Sequence, residues 1–235
     1  MVAASASTNR LNNTNLENGV TNVGTNDPLG AMPQLDDSKL HFYFNDFDTY
    51  QATDWIVTKI GTGTQALAAL AGGVLLTTNT AAAPDSISNQ LNFATFQLQA
   101  GKQAWFKIRL KISDATTSTL QVGLQATDST PFTFTDGIVF TKAAATAAVT
   151  MKVVNTSTAT TSATVATLAN DTFIVLAWYY DGINTVTAYA DGVRQTSTVA
   201  TNLPSALMNL SFAMGNGSAA ARNYTIDYVF AATER

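Results

Sequence analysis

Between Ala104 and Ile112, Phe106, Ile108, Leu110 and Ile112 occupy every second position, and Lys107, Arg109 and Lys111 fill the gaps. A period of two puts the apolar set on one side of an extended chain and the cations on the other, so the run reads as a half-buried strand. A helix would scatter the same residues around its axis. The alternation recurs in 91–98, and strand-like runs follow at 40–47, 73–78, 119–126, 137–141, 148–154, 162–168, 172–180, 184–190, 193–199, 208–214 and 223–232. About a dozen short strands separated by turn residues predict an all-β sandwich or barrel. Asp181-Gly182 and Asp191-Gly192 sit between such runs, where a tight hairpin wants residues that tolerate positive φ. The one helical-looking piece is 65–71, too short to form a layer.

The strands occupy only part of the chain. No aromatic residue precedes Phe42, whereas Phe42, Tyr43, Phe44, Phe47, Tyr50 and Trp55 follow in close order. Residues 1–38 are rich in Asn, broken by Gly19, Gly24, Pro28, Gly30 and Pro33, and hold too few apolar side chains to build a core. Two parts are therefore expected: an extended N-terminal arm, 1–38, and a β-sandwich, 39–235. Fixing such an arm costs about 1–2 kcal/mol per residue, so it needs a long contact surface. Its apolar anchors are Leu11, Leu16, Val20, Val23 and Leu29, with Arg10 as a charged contact.

Composition removes several kinds of chemistry. Charged residues are 12% of the chain, the net charge is -4, and the cations are spread singly, which leaves no basic stripe for nucleic acid. No run approaches about 20 apolar residues and the start has no basic cluster before an apolar core, so neither membrane span nor signal peptide is expected. With no Cys, disulfides and thiolate metal sites are excluded. His41 is the sole histidine and reads as a boundary residue sharing a strand face with Tyr43 and Asn45. Asp46 and Asp48 lie two apart, as a calcium site would like, but without further carboxylates nearby they read as a strand end or loop cap. Gly61-Thr62-Gly63 lacks the strand, helix and strand that a dinucleotide site needs. No metal or cofactor is expected.

Three short motifs resemble one superfamily. Phe44-Asn45-Asp46-Phe47-Asp48 followed by Trp55 is similar to the first strand of the concanavalin A-like lectin and glucanase sandwiches. Trp178-Tyr179-Tyr180-Asp181-Gly182 with Ala188-Tyr189-Ala190-Asp191-Gly192 resembles the paired strands of that superfamily, and Tyr224-Thr225-Ile226-Asp227-Tyr228-Val229 resembles its closing strand. The resemblance implies an antiparallel two-sheet jelly roll over residues 40 to 233. Its glucanases carry a Glu-x-Asp-x-x-Glu strand, because retaining hydrolysis needs two carboxyl groups about 5–5.5 Å apart. Here Glu occurs only at Glu17 and Glu234, so that strand is missing, and the chain is expected not to be an enzyme.

Thr and Ala make up nearly a third of the chain, and this composition, with the Asn-rich leader, resembles virion proteins of tailed bacteriophages that decorate capsids. That resemblance implies a structural protein on the outer capsid surface, partnered by a major capsid protein across the arm and by sister copies, with a trimer suggested by lattice symmetry. The alternative expectation is a lectin-like module binding glycan on an aromatic platform drawn from Tyr179, Tyr180 and Tyr189.

Overall fold

The computed structural model describes residues 39–68, 70, 73–130, 132–199 and 201–235. The expected arm, with Arg10, Leu11, Leu16, Val20, Val23 and Leu29, lies outside them. Fifteen strands are described, in chain order β1 (Leu40–Asn45), β2 (Trp55–Ile60), β3 (Thr64–Ala68), β4 (Val74–Asn79), β5 (Ser86–Leu91), β6 (Ala104–Ile112), β7 (Ser118–Gln125) and β8 (Gly137–Lys142). β9 (Ala148–Asn155), β10 (Thr158–Thr167), β11 (Ile174–Tyr180), β12 (Thr185–Ala190), β13 (Val193–Val199), β14 (Asn209–Asn216) and β15 (Arg222–Glu234) complete the set.

They form two antiparallel sheets. One has seven strands, in the order β10-β9-β8-β7-β14-β5-β2; the other has eight, in the order β13-β12-β11-β6-β15-β4-β3, with β1 pairing β15 off that path. All-β antiparallel architecture is thus what the alternation produces. Phe106, Ile108 and Leu110 of β6 and Leu176 and Trp178 of β11 meet Val122, Phe140, Met151 and Phe212 of the opposite sheet in one buried core. Each such side chain contributes about 1.5–3 kcal/mol on burial. The Trp178 and Phe106 rings stack across the β6–β11 pair at 6.0 Å. Tyr224 ties the sheets together by donating its hydroxyl to the Gly215 carbonyl, and burial pushes that hydroxyl well above its usual range.

Two local features shape the outer surface. β15 carries a bulge between Ile226 and Tyr228, which resets its parity. Ile226 and Val229 both face the core, so Tyr228 and Phe230 are sent outward. The second is the β12–β13 hairpin, whose Asp191 and Gly192 hold φ of 49° and 76°, as the sequence predicts for a primed turn. Asp181-Gly182 opens a longer loop instead, in which the Asp181 carboxylate accepts from the amides of Ile183, Asn184 and Thr185.

Of the helical-looking run 65–71, residues 65–68 belong instead to strand β3, held by its register with β4. The run 91–98, expected as a strand, is not one: β5 ends at Leu91, and Phe96 only bridges Met208. β2 and most of β5 carry no clear alternation and were not expected.

Candidate functional site

β1 sits at the edge of the eight-stranded sheet, and its alternation splits its side chains between two surfaces. His41 and Tyr43 turn toward the open end of the sandwich, where they meet the 3-10 turn Ala52–Asp54 and the segment after β5. A hollow of about 280 Å³ is lined there by His41, Tyr43, Thr53, Asp54, Asn92 and Phe93, among others. Its walls are fixed by short-range bonds. The Asn92 amide donates to the Asp54 carbonyl at 2.8 Å, and its side-chain Nδ2 donates to the Thr53 carbonyl at 3.2 Å. His41 Nε2 lies 2.8 Å from Thr95 Oγ1, and the imidazole packs 4.8 Å from the Phe96 ring. Tyr43 meets Trp55 edge to face at 6.0 Å, and its hydroxyl accepts from Asn45 Nδ2 at 3.2 Å.

The electrostatics favour neutral groups. Burial holds the His41 imidazole below its ordinary value, and the Arg235 charge adds to this. Burial pushes the Tyr43 hydroxyl up, opposed by the Asn45 hydrogen bond and reinforced by Asp54. At neutral pH the hollow therefore holds an uncharged imidazole and an uncharged phenol beside the Asp54 carboxylate. Phe93, 72% exposed, stands at its rim. An apolar ring beside convergent donors and acceptors is the chemistry that binds a polyhydroxylated ring by stacking and hydrogen bonding.

The residues singled out in the sequence fare differently. Asp46 and Asp48 lie in the bend after β1, not on a strand; Asp46 Oδ1 takes the Asp48 amide at 3.4 Å. Among the described residues no three His, Asp or Glu side chains gather around a common point. The tyrosine platform is not formed: Tyr180 and Tyr189 are buried, and Tyr179 is packed on Trp105 at 5.9 Å. Phe93 was missed because the alternation of 91–98 read as strand. The signal against that reading was Asn92, a turn former directly after Leu91.

The centre of the outer face of the seven-stranded sheet is covered. Ser88, Gln90, Gln121 and Ser211 point outward there yet are buried. The 126–136 segment seals them: Gln90 Nε2 donates to the Asp128 carbonyl at 2.7 Å, and the Asp128 amide donates back to Gln90 Oε1 at 3.0 Å. Asn209 Nδ2 donates to Thr127 Oγ1 at 3.0 Å, and Phe132 lies so close over Gly215 that a Cβ there would meet its ring at 2.9 Å.

No protein-family profile matches the chain, and no curated protein matches it in sequence. Solved structures do match in fold. The chain is similar to an endo-1,3-beta-glucanase from Streptomyces sioyaensis, with a TM-score of 0.61, 12% identity, and 83% of this chain and 97% of that one covered. It is also similar to an endo-beta-1,4-glucuronan lyase from the fungus Trichoderma reesei, with a TM-score of 0.58, 12% identity, and coverage of 81% and 94%. The carbohydrate recognition domain of Emp47p matches with a TM-score of 0.59, 13% identity, and coverage of 85% and 98%.

The body is thus a concanavalin A-like jelly roll, as its motifs imply. The expectation that the chain is not an enzyme is corrected by the same likenesses, because most of the similar structures are glycosyl hydrolases and lyases, and lectin domains share the fold. The physical reason is that the sandwich is a scaffold and chemistry resides in side chains placed on it. A missing Glu-x-Asp-x-x-Glu strand removes one arrangement of carboxylates, not every reaction such a scaffold can carry.

Proposed function

We propose that this protein is a carbohydrate-binding β-sandwich whose glycan site is the hollow between β1 and the β2 and β5 ends. One observation carries the reading: exposed Phe93 stands beside neutral His41, Tyr43, Thr95 and the Asp54 carboxylate in one open recess. Phe93 supplies a stacking plane. His41, which bonds Thr95 at one ring nitrogen, keeps its other nitrogen for a hydroxyl, and Asp54 accepts from another. The fold supports the reading, since carbohydrate recognition domains and enzymes named for β-glucans share it.

The virion reading rests on the Thr- and Ala-rich composition of the chain and on the Asn-rich residues 1–38, and the latter lie outside the described residues.

The test is calorimetric titration of the full chain with β-glucan oligosaccharides, backed by a glycan array. Wild type is expected to bind at least one neutral oligosaccharide. Phe93→Ala should weaken that binding by about tenfold or more, a loss of roughly 1.4 kcal/mol, and Phe93→Trp should retain it. Equal binding by wild type and Phe93→Ala, or no binding to any glycan, overturns the assignment.

A further inference from the structure

The other half of β1 belongs to a different surface. Phe42 and Phe44, 45% and 53% exposed, point away from the core and join Tyr228, Phe230 and Lys107 around an almost wholly apolar groove of about 470 Å³ on the outer face of the eight-stranded sheet. Phe44 and Tyr228 lie 6.5 Å apart, ring to ring. Beside them on the same face Trp105, Leu40 and Ala232 form a small buried cluster, packed by Tyr179 and Phe230.

Beside the rings runs the cationic edge of β6. Lys107, Arg109 and Lys111 share this face, at about 6.6 Å per two residues along the strand. Arg109 is neutralised by Asp227 at the β15 bulge, and its guanidinium lies 4.1 Å over the Phe173 ring. The Lys111 ammonium lies 5.0 Å over the same ring. Lys107 has no ion pair among the described residues, although its side chain is half-buried at the groove rim. A protein of net charge -4 thus sets three of its few cations on the face that carries this aromatic groove, with Lys107 at the groove itself.

We propose that this face is a second binding surface, separate from the Phe93 hollow, and that its occupant is a polysaccharide bearing carboxylate groups, a uronic-acid polymer. Charge complementarity selects the anion: Lys107 and Lys111 stand about 13 Å apart along β6, a span that one small carboxylate cannot bridge and an extended polyanion can. The flat ring array selects sugar over peptide. The groove lies on a sheet face whose main-chain groups are already used in the β1–β15 and β15–β6 ladders. A peptide laid across the rings would find no backbone partners on β15 or β6, whereas a sugar ring covers the aromatics with its C–H face and leaves its hydroxyls in water.

The experiment is calorimetric titration of the full chain with oligogalacturonate, with the same oligomer after carboxyl reduction, and with vesicles of acidic phospholipid, at ~50 and ~300 mM salt. The variants are Phe42→Ser with Phe44→Ser, Lys107→Gln, and Phe93→Ala. The expected result is binding of oligogalacturonate that falls about tenfold or more in the first two variants and on carboxyl reduction, weakens with salt, and is unchanged in Phe93→Ala. Binding that is absent, indifferent to carboxyl reduction, unchanged in the Phe42/Phe44 and Lys107 variants, or outcompeted by vesicles overturns the proposal. Loss in Phe93→Ala alone assigns the uronate to the other hollow and overturns it too. Failure of neutral glycans to bind leaves this outcome independent, because the two surfaces are read by different variants.

Discussion

The outer faces of the two sheets invert the usual sorting of side chains. At the centre of the seven-stranded sheet the outward residues Ser88, Gln90, Gln121 and Ser211 are polar, and they are buried, whereas Ile56 and Ile60 on edge strand β2 stay partly exposed. On the eight-stranded sheet they include Phe42, Phe44, Tyr228 and Phe230, and the first two are open to solvent. The polar face is hidden because a loop bonds down onto it through Gln90, at the cost of leaving Ser86 Oγ and Ser211 Oγ without hydrogen-bond partners. The apolar face is open because the β15 bulge turns Tyr228 and Phe230 outward and no described loop crosses the groove they share with β1. Exposure on a sandwich is thus decided by what the connections cover, and the uncovered aromatic patch is what the proposed second surface rests on.

The comparison can be broken most severely at Trp105. If the eight-stranded sheet's outer face has its own small core, Trp105→Ala should destabilise the protein by about 3–5 kcal/mol in urea unfolding, as for a central core aromatic. A loss below about 1 kcal/mol would show that the cluster of Leu40, Ala232 and Trp105 does not hold β1 in place. On the opposite face Gln90→Ala removes both bonds to Asp128 and strands that segment's amide and carbonyl. The expected cost is about 1–3 kcal/mol, with hydrogen exchange at Asp128 and cleavage within 126–136 rising ahead of global unfolding. Unchanged exchange at Asp128 would show that the face is sealed by other contacts.

The β alternation made the fold legible: β6 is found at its predicted limits, and β13 likewise. The failures share a physical cause. β3 is short, Thr-Gln-Ala-Leu-Ala, with helix-forming Ala and Leu, and only pairing with β4 makes it a strand. β5, Ser-Ile-Ser-Asn-Gln-Leu, looks like loop because its outward side is polar, yet that side is buried under the covering segment. Neither surface assigned a ligand here was readable as a site, because each is assembled from strands far apart in sequence. Tyr179, Tyr180 and Tyr189 looked like a platform, but Tyr180 is buried between β6 and β12, Tyr189 between β11 and β13, and Tyr179 packs on Trp105. His41 was placed correctly beside Tyr43, while Phe93 needed the true end of β5.

Covering a side chain also has a cost where the side chain is a cation. Lys142 ends β8 and is buried, donating to the Ser118 and Ala143 carbonyls, and burial lowers its pKa to about 8, partly offset by Asp114. Between about pH 8 and the ordinary value of 10.5 the unfolded chain binds the proton more fully than the folded one, so stability rises with pH across that window. The rise should be on the order of 1–3 kcal/mol. In Lys142→Met it should vanish from the difference between thermal melts at pH 8 and pH 10; an identical rise in the variant would place its origin elsewhere.

The smallest expected effect is the most telling. Replacing Phe42 and Phe44 by Ser removes two large rings, yet both are about half exposed, and Phe44 approaches Tyr228 ring to ring at 6.5 Å. Surface changes of this kind lie within about 0.5 kcal/mol each, and β1 keeps its Leu40 anchor and its six-residue ladder with β15. The double variant should therefore melt within a few degrees of wild type and be no less soluble, since it removes an exposed apolar patch. A drop comparable to that of Trp105→Ala would mean that the rings are structural, and that the open face is part of the packing instead of a surface reserved for a ligand.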